Sequence, residues 1–293
     1  MERNSRTKNF VHFLTFVGPA VILFSAVVII PFIYGIFLTL TDWNGIDTSY
    51  NIVGLENYKT MLSDKAFWQS LGRTVKYAFL SILLSNFLGF ALALMVNVPF
   101  KGRNLFRTTF FTPNLIGGIV LGYIWQFVFR QALPAIGKFA GNPAMEKSWL
   151  STPDMAMWAL IVVTVWQLSG YLMIIYLAGL SSVPTEIREA SRIDGANGIQ
   201  TLFKVIMPMM VGTFTICFFL AITRCFVTYD VNVSLTQGGP YGSTVLTPMY
   251  VYDMAFSSKK YGLGQAETLV LFALVAIVAV IQTKIGQNKE VEA

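Results

Sequence analysis

Long runs of apolar residues separated by short polar segments are the main pattern along this chain of 293 residues. Crossing the hydrocarbon core of a bilayer takes about 20 apolar residues in an α-helix, and each run contains or approaches such a stretch. The apolar positions do not alternate with polar ones, so the pattern does not predict a membrane β-barrel. The runs cover residues 13–40, 77–100, 108–129, 155–185, 205–223 and 263–283.

This pattern predicts an all-α, polytopic membrane protein with six transmembrane helices, because backbone groups inside a bilayer must be satisfied within the chain. We expect one membrane domain over residues 13–284, flanked by polar tails at 1–12 and 285–293. A polar loop at 182–207, which separates the fourth and fifth runs, is predicted to contain a short helix. The six helices are expected at about 13–40, 69–97, 105–130, 155–181, 206–229 and 263–284.

The charges support a membrane location and predict the topology. Charged residues make up 12% of the chain, whereas soluble domains carry about 25%. With the N-terminus inside, eleven Lys and Arg residues fall on the inside and seven on the outside. The positive-inside rule therefore predicts that both termini and the 182–207 loop are cytoplasmic. The net charge of +6 is explained by this distribution and does not indicate a nucleic-acid partner.

The most polar part of the chain lies between the fourth and fifth apolar runs. Five ionisable residues occur within nine positions, and such a run cannot lie in hydrocarbon at a tolerable cost. The segment must therefore contact water or another protein. These residues are Glu186, Arg188, Glu189, Arg192 and Asp194.

Local signals predict two short helices joined by a turn in this segment. Ser181 or Ser182 is expected to cap the first helix, with Pro184 in its first turn. Gly195 permits a turn that a side chain would obstruct, and Asp194 is expected to cap the second helix.

The exposed face of the first helix is expected to carry small residues. Ile187, Ala190 and Ser191 share one face at helical spacing. Alanine and serine would allow close approach to a groove on a partner, while Glu189 could form a charge-assisted contact there.

The same segment resembles a known sequence motif. Glu189-Ala190-Ser191, then Gly195, then Val205, Met207 and Pro208 are similar to the EAA loop of ABC-importer permeases. That motif reads Glu-Ala-Ala, three residues, Gly, nine residues, Ile, one residue, Leu-Pro. Ser191, Val205 and Met207 are conservative departures from it.

The resemblance implies a permease subunit that works by alternating access in a prokaryotic plasma (inner) membrane. Its coupling residues would be Glu189, Ala190, Ser191, Asp194, Gly195 and Pro208. They would dock on cytoplasmic ATP-binding subunits, which use ATP and Mg²⁺. The other implied partners are a second, related permease, an extracellular or periplasmic solute-binding protein and membrane lipid.

The chain itself shows no sign of catalytic chemistry. A phosphate-binding loop requires Gly-Lys followed by Ser or Thr, but Gly137-Lys138 is followed by Phe139. His12 is the only histidine, which argues against a histidine-based metal or catalytic cluster. Cys217 and Cys225 are eight positions apart on one helix, too far for a disulfide. We therefore expect neither enzyme activity nor a cofactor or metal in this chain.

A second resemblance suggests the cargo. The segment 235–244, Leu-Thr-Gln-Gly-Gly-Pro-Tyr-Gly-Ser-Thr, is similar to an external loop of sugar-type importer permeases. The resemblance implies a sugar or oligosaccharide cargo. Gly238, Gly239 and Pro240 also predict a tight turn, which is a purely structural explanation of the same residues.

Aromatic and neutral polar residues in the predicted membrane region are candidates for the cargo path. Sugars stack on aromatic faces and exchange hydrogen bonds with neutral polar groups. The candidates are Trp166, Gln167, Tyr171, Tyr229 and Asn232. Aromatic residues also form belts at membrane interfaces, so both interpretations stay open.

Two charged residues fall inside predicted spans. Arg224 lies in the outer part of the fifth helix and Glu267 in the outer part of the sixth, and intramembrane charges usually pair. A structural ion pair between them is favoured over a substrate contact, with Asp230 as an alternative partner for Arg224.

Three glycines in the third predicted helix, Gly117, Gly118 and Gly122, provide a surface for close helix packing or hinges for a gate.

The main functional alternative is an ion-coupled secondary transporter of a small polar solute. Such proteins usually carry carboxylates near the membrane midplane, whereas Glu267 is the only intramembrane carboxylate here and lies near a helix end. A membrane anchor that moves nothing would leave the charged loop unexplained.

Overall fold

The computed structural model of the chain describes residue 13 and residues 15–289. The predicted N-terminal tail 1–12, including His12, and the last four residues of the predicted C-terminal tail lie outside the described residues.

The described residues form helices joined by short loops, and within this range no strand is assigned beyond an isolated bridge between Thr41 and Ile52. The helices are α1 (Thr15–Leu38), α2 (Glu56–Ser63), α3 (Lys65–Asn97), α4 (Arg103–Phe111), α5 (Gly118–Ala140), α6 (Pro143–Glu146), α7 (Pro153–Ser182), α8 (Thr185–Ile193), α9 (Gly198–Met209), α10 (Val211–Phe226), α11 (Asp230–Leu235), α12 (Thr247–Tyr252) and α13 (Tyr261–Gln287).

Five of these helices, α1, α3, α5, α7 and α13, are long and apolar enough to cross a membrane. The pair α9 and α10 passes the same test as one broken span, which gives the predicted six. The prediction of an all-α polytopic membrane protein with a helix between the fourth and fifth spans is therefore confirmed.

The third predicted helix is not continuous over 105–130, and this prediction was wrong. α4 ends at Phe111, a 3₁₀ turn covers Thr112–Leu115, and α5 begins at Gly118. Pro113 has no backbone N–H to continue the helix, and Gly117 adopts an extended conformation with ψ of 141°. We refer to residues 112–117 as the polar break.

The fifth predicted helix is also interrupted. α9 and α10 meet at Met210, which leaves the helical conformation, and their axes differ by 72°. Pro208 lies two residues before this point and lacks the N–H that would bond to the preceding turn. The N–H of Met210 donates to the carbonyls of Ile206 and Met207, so the backbone stays paired. We refer to this junction as the apolar bend.

The helices group into two compact units. One comprises the described residues up to Lys65 together with Val251–Val270, and the other comprises Ala66–Tyr250 together with the described residues from Leu271 onward. In the first unit, the amide of Asn57 donates to the carbonyls of Thr39 and Thr41, each at 2.8 Å, and so caps the chain just after α1.

In the second unit, glycines bring helices into close contact, as predicted for the third span. A Cβ on Gly118 would lie 2.8 Å from Cβ of Asp230, and one on Gly122 would lie 3.0 Å from the backbone nitrogen of Leu235. Packing of α5 on α11 therefore requires these glycines, whereas Gly117 has open space around it.

Candidate functional site

The charged helix predicted after the fourth span is α8. Its outer surface is formed by Glu186, Glu189, Ala190 and Ile193, and Ile193 is 85% exposed. This face therefore offers a partner one large apolar side chain beside two carboxylates. We call these four residues the docking face.

Ser191 does not belong to this face, which corrects the prediction that it is exposed for a partner. Its side chain is 8% exposed and its hydroxyl donates to the carbonyl of Arg188 at 2.8 Å. The same oxygen lies 3.2 Å from the Thr201 hydroxyl of α9. Ser191 therefore joins α8 to α9, and a small residue is required because the two short helices approach closely.

Arg188 fixes α8 to the end of the fourth span. Its guanidinium donates to the carbonyl of Leu180 in the last turn of α7. Carbonyl groups in the last turn of a helix lack intrahelical partners and carry partial negative charge, so a cation there is favourable. A displacement of α8 would therefore act directly on the end of a spanning helix.

The turn after α8 is a Schellman motif. The N–H of Ala196 donates to the carbonyl of Ser191 at 3.0 Å, and the N–H of Gly195 donates to that of Arg192 at 3.1 Å. Gly195 has φ of +82°, and nothing lies within 4 Å of the place that a Cβ would occupy, so the backbone conformation alone requires glycine. This confirms the predicted turn at Gly195.

The predicted caps around this turn were wrong. The hydroxyls of Ser181 and Ser182 bond back to Leu177 and Gly179 within α7, and Pro184 takes the cap position of α8. Helical Ser residues commonly bond to the preceding turn in this way.

Asp194 ends α8 instead of starting α9. Its N–H donates to the carbonyl of Ala190 at 2.9 Å. The cap of α9 is Asn197, which exchanges hydrogen bonds with Gln200 in a capping box, each at 2.9 Å. Pro208, the last residue of the predicted motif, lies at the apolar bend.

A second group of functional candidates gathers around the polar break. Arg224, exposed in the last turn of α10, donates to Oδ1 of Asn114 at 2.7 Å. Its guanidinium also lies 4.6 Å from the centre of the Tyr171 ring of α7. The polar break, α7 and α10 therefore meet at the guanidinium of Arg224. We call Asn114, Gln167, Tyr171 and Arg224 the polar cluster.

Gln167 supports the break. Its side-chain amide donates to the carbonyls of Ile116 at 3.2 Å and Pro113 at 3.4 Å. Acceptors released by a broken helix need such partners inside a membrane. Trp166, next to it, is 36% exposed and packs edge to face against Trp125 at 5.3 Å.

Two of the predicted path residues lie elsewhere. Asn232 is fully buried, and its amide donates to the Thr244 carbonyl at 2.8 Å while its oxygen accepts from the N–H of Leu246. It thereby holds the 236–246 loop in place, and its assignment to the cargo path stays a prediction. Tyr229 is half-buried and precedes α11; its part in the path stays a prediction.

The same network closes the loop that resembles the sugar-type permeases. Gly238 and Gly242 have positive φ of 75° and 70°, and the Thr244 hydroxyl donates to the Gly239 carbonyl at 2.8 Å. The predicted tight turn is confirmed, and the hydrogen bond from Thr244 to Gly239 closes the loop.

Glu267 is fully buried in α13, and neither of its carboxylate oxygens has a hydrogen-bond partner among the described residues. The predicted pairing of Arg224 with Glu267 stays a prediction, since the partners that the structure shows for Arg224 are Asn114 and Tyr171. Cys217 and Cys225 are free and buried, as expected.

Several residues of these sites were missed from the sequence. Asn114 follows a proline and precedes two glycines, a signal for a helix break whose polar residue faces inward. Asn197 and Gln200 have the spacing of a capping box, a signal that the nearby Asp194 obscured. Within the described part of the chain, no group of His, Cys, Asp or Glu side chains could hold a metal ion.

Comparison with known proteins identifies a family. The model of the family described as binding-protein-dependent transport system inner membrane component matches residues 85–290. A protein of Thermoanaerobacterium thermosulfurigenes, named as a probable starch degradation products transport system permease, is 39% identical, and the alignment covers 97% of each chain. The multiple sugar-binding transport system permease of Streptococcus mutans is 35% identical, with 89% of this chain and 90% of the other covered.

Solved structures show the same fold. A chain of a bacterial ABC transporter described as involved in the import of the acidic polysaccharide alginate matches with a TM-score of 0.84 at 18% identity, covering 98% of this chain and 99% of the other. A bacterial alginate ABC transporter in complex with an alginate pentasaccharide-bound periplasmic protein matches with a TM-score of 0.83 at 16% identity, over 97% and 96% of the two chains.

Proposed function

Because the chain belongs to the family of binding-protein-dependent transport system inner membrane components, we propose that it is the permease subunit of an ATP-driven importer of a sugar or oligosaccharide. Family membership makes it a multi-pass transport subunit and favours this function over ion-coupled secondary transport.

The observation that carries the proposal is the connection from the docking face to the membrane. α8 presents Glu189 and Ile193 to the solvent, Arg188 ties it to the end of α7, and the Gly195 turn joins it to α9. A protein that binds the docking face and moves can therefore displace the fourth and fifth spans together. Such motion is what alternating access requires of a coupling element.

The partner on this face is an ATP-binding subunit, which holds ATP and Mg²⁺ and performs the hydrolysis. The chain has no Gly-Lys-Ser or Gly-Lys-Thr sequence for phosphate binding, so the energy must come from elsewhere. A second, related permease and an extracellular or periplasmic solute-binding protein complete the assembly. This view is supported by the complex of one structural neighbour with a periplasmic protein.

The polar cluster supports a path for a polar cargo. Arg224 and Tyr171 lie on spanning helices, and a charged side chain exposed at that position is costly in lipid. It is tolerated where it lines a water-filled cavity. Tyr171 and Trp166 supply aromatic faces, while Gln167 and Asn114 supply neutral polar groups, the combination that sugars require. The names of the two relatives point to the same class of cargo.

The cargo is tested by uptake into proteoliposomes that contain the full assembly. A panel of labelled monosaccharides, linear α-glucans and amino acids is supplied with the solute-binding protein, with ATP or a non-hydrolysable analogue inside. We expect uptake of a saccharide only with ATP. Accumulation driven by a sodium or proton gradient without nucleotide would contradict the proposal.

The topology and the docking are tested with single cysteines in a chain whose Cys217 and Cys225 are replaced by Ala. Cysteine at Glu189 should react with a membrane-impermeant maleimide only after permeabilisation and should cross-link to the ATP-binding subunit. Cysteine at the exposed Lys138 is the matched control, which should react in intact cells and form no such cross-link. Labelling of the Glu189 position from outside would overturn the cytoplasmic assignment.

A further inference from the structure

The apolar bend forms one wall of a groove of about 730 Å³. Both arms of the bend and the last turns of α13 contribute to it, so the groove spans the joint between the coupling region and the membrane. We call it the bend groove. Its lining residues are Phe203, Met207, Pro208, Val211, Phe214, Thr215, Phe218, Val278, Ile281, Gln282, Ile285, Gly286 and Lys289.

The groove is open at its edge. Phe203 is 61% exposed, and Ile281 and Ile285 are each 53% exposed. Large apolar side chains on membrane-spanning helices are expected to face hydrocarbon. The deeper wall is rigid, since the Phe214 ring packs at 5.0 Å on both Phe90 and Tyr176.

Among the residues that the structure describes, the groove is lined by one charged residue, which is basic. Lys289 lines one end, beyond the last turn of α13, and no acidic residue is among the lining residues in the described part of the chain. Lys204, also exposed, follows Phe203 in sequence. A lysine at one end of an apolar groove between spanning helices, on the side that the proposed function makes cytoplasmic, suits an anionic lipid headgroup.

We propose that the bend groove binds a phospholipid with an anionic headgroup. One acyl chain lies along Met207, Val211 and Val278, and the phosphate contacts Lys289. The occupant follows from the charge at one end, the apolar walls and the open edge, which together match an amphipathic molecule with a single negative head.

A lipid in this position would contact α9, α10 and α13 at once. α13 already joins α10 there, because the Gln282 amide donates to the Thr215 carbonyl at 3.2 Å. Gly286 also lies so close to Thr215 that a Cβ would approach its Cγ2 to 2.6 Å. The bound lipid would therefore stabilise the bend, and anionic lipid would tune the coupling between the docking face and the membrane.

The test uses the purified importer assembly in nanodiscs of phosphatidylcholine with or without phosphatidylglycerol. Retained lipid is counted by native mass spectrometry, and thermal stability is measured in parallel. Val278→Trp fills the groove, and Ile277→Trp is its control because Ile277 is 59% exposed and does not line the groove. Lys289→Gln removes the charge, and Lys284→Gln, at an exposed lysine in the last turn of α13 that does not line the groove, is its control.

We expect the wild-type assembly, I277W and K284Q to retain phosphatidylglycerol in preference to phosphatidylcholine and to be stabilised by it. V278W should lose the retained lipid. K289Q should weaken retention of phosphatidylglycerol about fivefold, as expected for one lysine near an anionic headgroup, without changing that of phosphatidylcholine. The exposed position of Lys289 makes K289Q informative even if V278W fails to fold.

Equal retention of both lipids by the wild type, or equal retention of phosphatidylglycerol by V278W and I277W, would overturn the proposal. A cysteine at Ile281 that cross-links quantitatively to the second permease would also overturn it, since the groove would then be a subunit interface.

Discussion

Two places where a helix is interrupted near a proline differ in nearly every other respect: the polar break, which precedes the spanning helix α5, and the apolar bend, which lies within the broken span of α9 and α10. At the polar break, Gln167 donates to the released carbonyls and Asn114 accepts from Arg224. At the apolar bend, the backbone satisfies itself and the surrounding side chains are aromatic and aliphatic. In the function proposed above, the first arrangement would present polar groups to the cargo, and the second would provide a joint that transmits movement.

The two regions also differ in how they contact the fourth span, α7, which packs beside each of them through a different glycine. A Cβ on Gly170 would fall 2.6 Å from the carbonyl carbon of Phe110 in α4. One on Gly179 would meet side-chain atoms of Thr213 in α10, at 2.7 Å from Cγ2. The contact beside the polar break is therefore with backbone atoms of α4, whereas the contact beside the apolar bend is with the side chain of Thr213 in α10.

The largest predicted effect separates these two contacts. Gly170→Ala should destabilise the protein by about 3 kcal/mol or more, because the backbone of α4 must shift, and Gly179→Ala by about 1–2 kcal/mol. Gly72→Ala in α3 is the control, since nothing lies within 4 Å of its Cβ position. Thermal unfolding of the purified assembly measures the difference, and equal losses for Gly170 and Gly179 would contradict the comparison.

The next effect concerns the two glutamines beside the interruptions. Gln167→Leu leaves the Ile116 carbonyl without this donor, while the Pro113 carbonyl keeps the N–H of Ile116 at 3.3 Å, and the change should cost about 1–3 kcal/mol. Gln282→Leu removes one donor to Thr215 but also a buried oxygen that has no partner among the described residues, so its cost should stay below about 1 kcal/mol. Thermal unfolding of both variants gives the order. A larger loss for Gln282→Leu would mean that the apolar bend depends on side-chain hydrogen bonds.

A smaller effect is expected at Arg224. Arg224→Gln keeps a donor for Asn114 but loses the cation over Tyr171, which at an exposed site is worth about 0.5–1 kcal/mol. Because Tyr171 then loses the cation that positions its ring, the KM for cargo uptake should rise about two- to fivefold with little change in the ATPase rate. Arg130→Gln, at an exposed arginine of α5, is the control. An unchanged KM together with a loss of stability would make Arg224 a structural residue only.

The sequence predicted the six spans and the turn at Gly195 because both depend on local properties, apolar length and a backbone conformation that glycine favours. It failed where a side chain could satisfy the backbone in more than one way. Ser182 and Asp194 are good caps in isolation, yet Ser182 bonds within α7 and Asn197 takes the cap of α9. Asn114 contacts Arg224, which is 110 residues away in sequence, and Asn232 contacts Thr244, which is 12 residues away. No local sequence pattern contains these contacts.

The central claim is that α8 passes force from an ATP-binding subunit to the membrane through the Gly195 turn. The most direct measurement compares Gly195→Val with Gly198→Val in the reconstituted assembly, recording ATP hydrolysis and cargo uptake together. Both positions have open space, but only Gly195 has a positive φ, where a side chain costs about 1–2 kcal/mol. We predict that Gly195→Val hydrolyses ATP with little uptake, while Gly198→Val keeps both activities. Unchanged uptake per ATP in Gly195→Val would contradict the account.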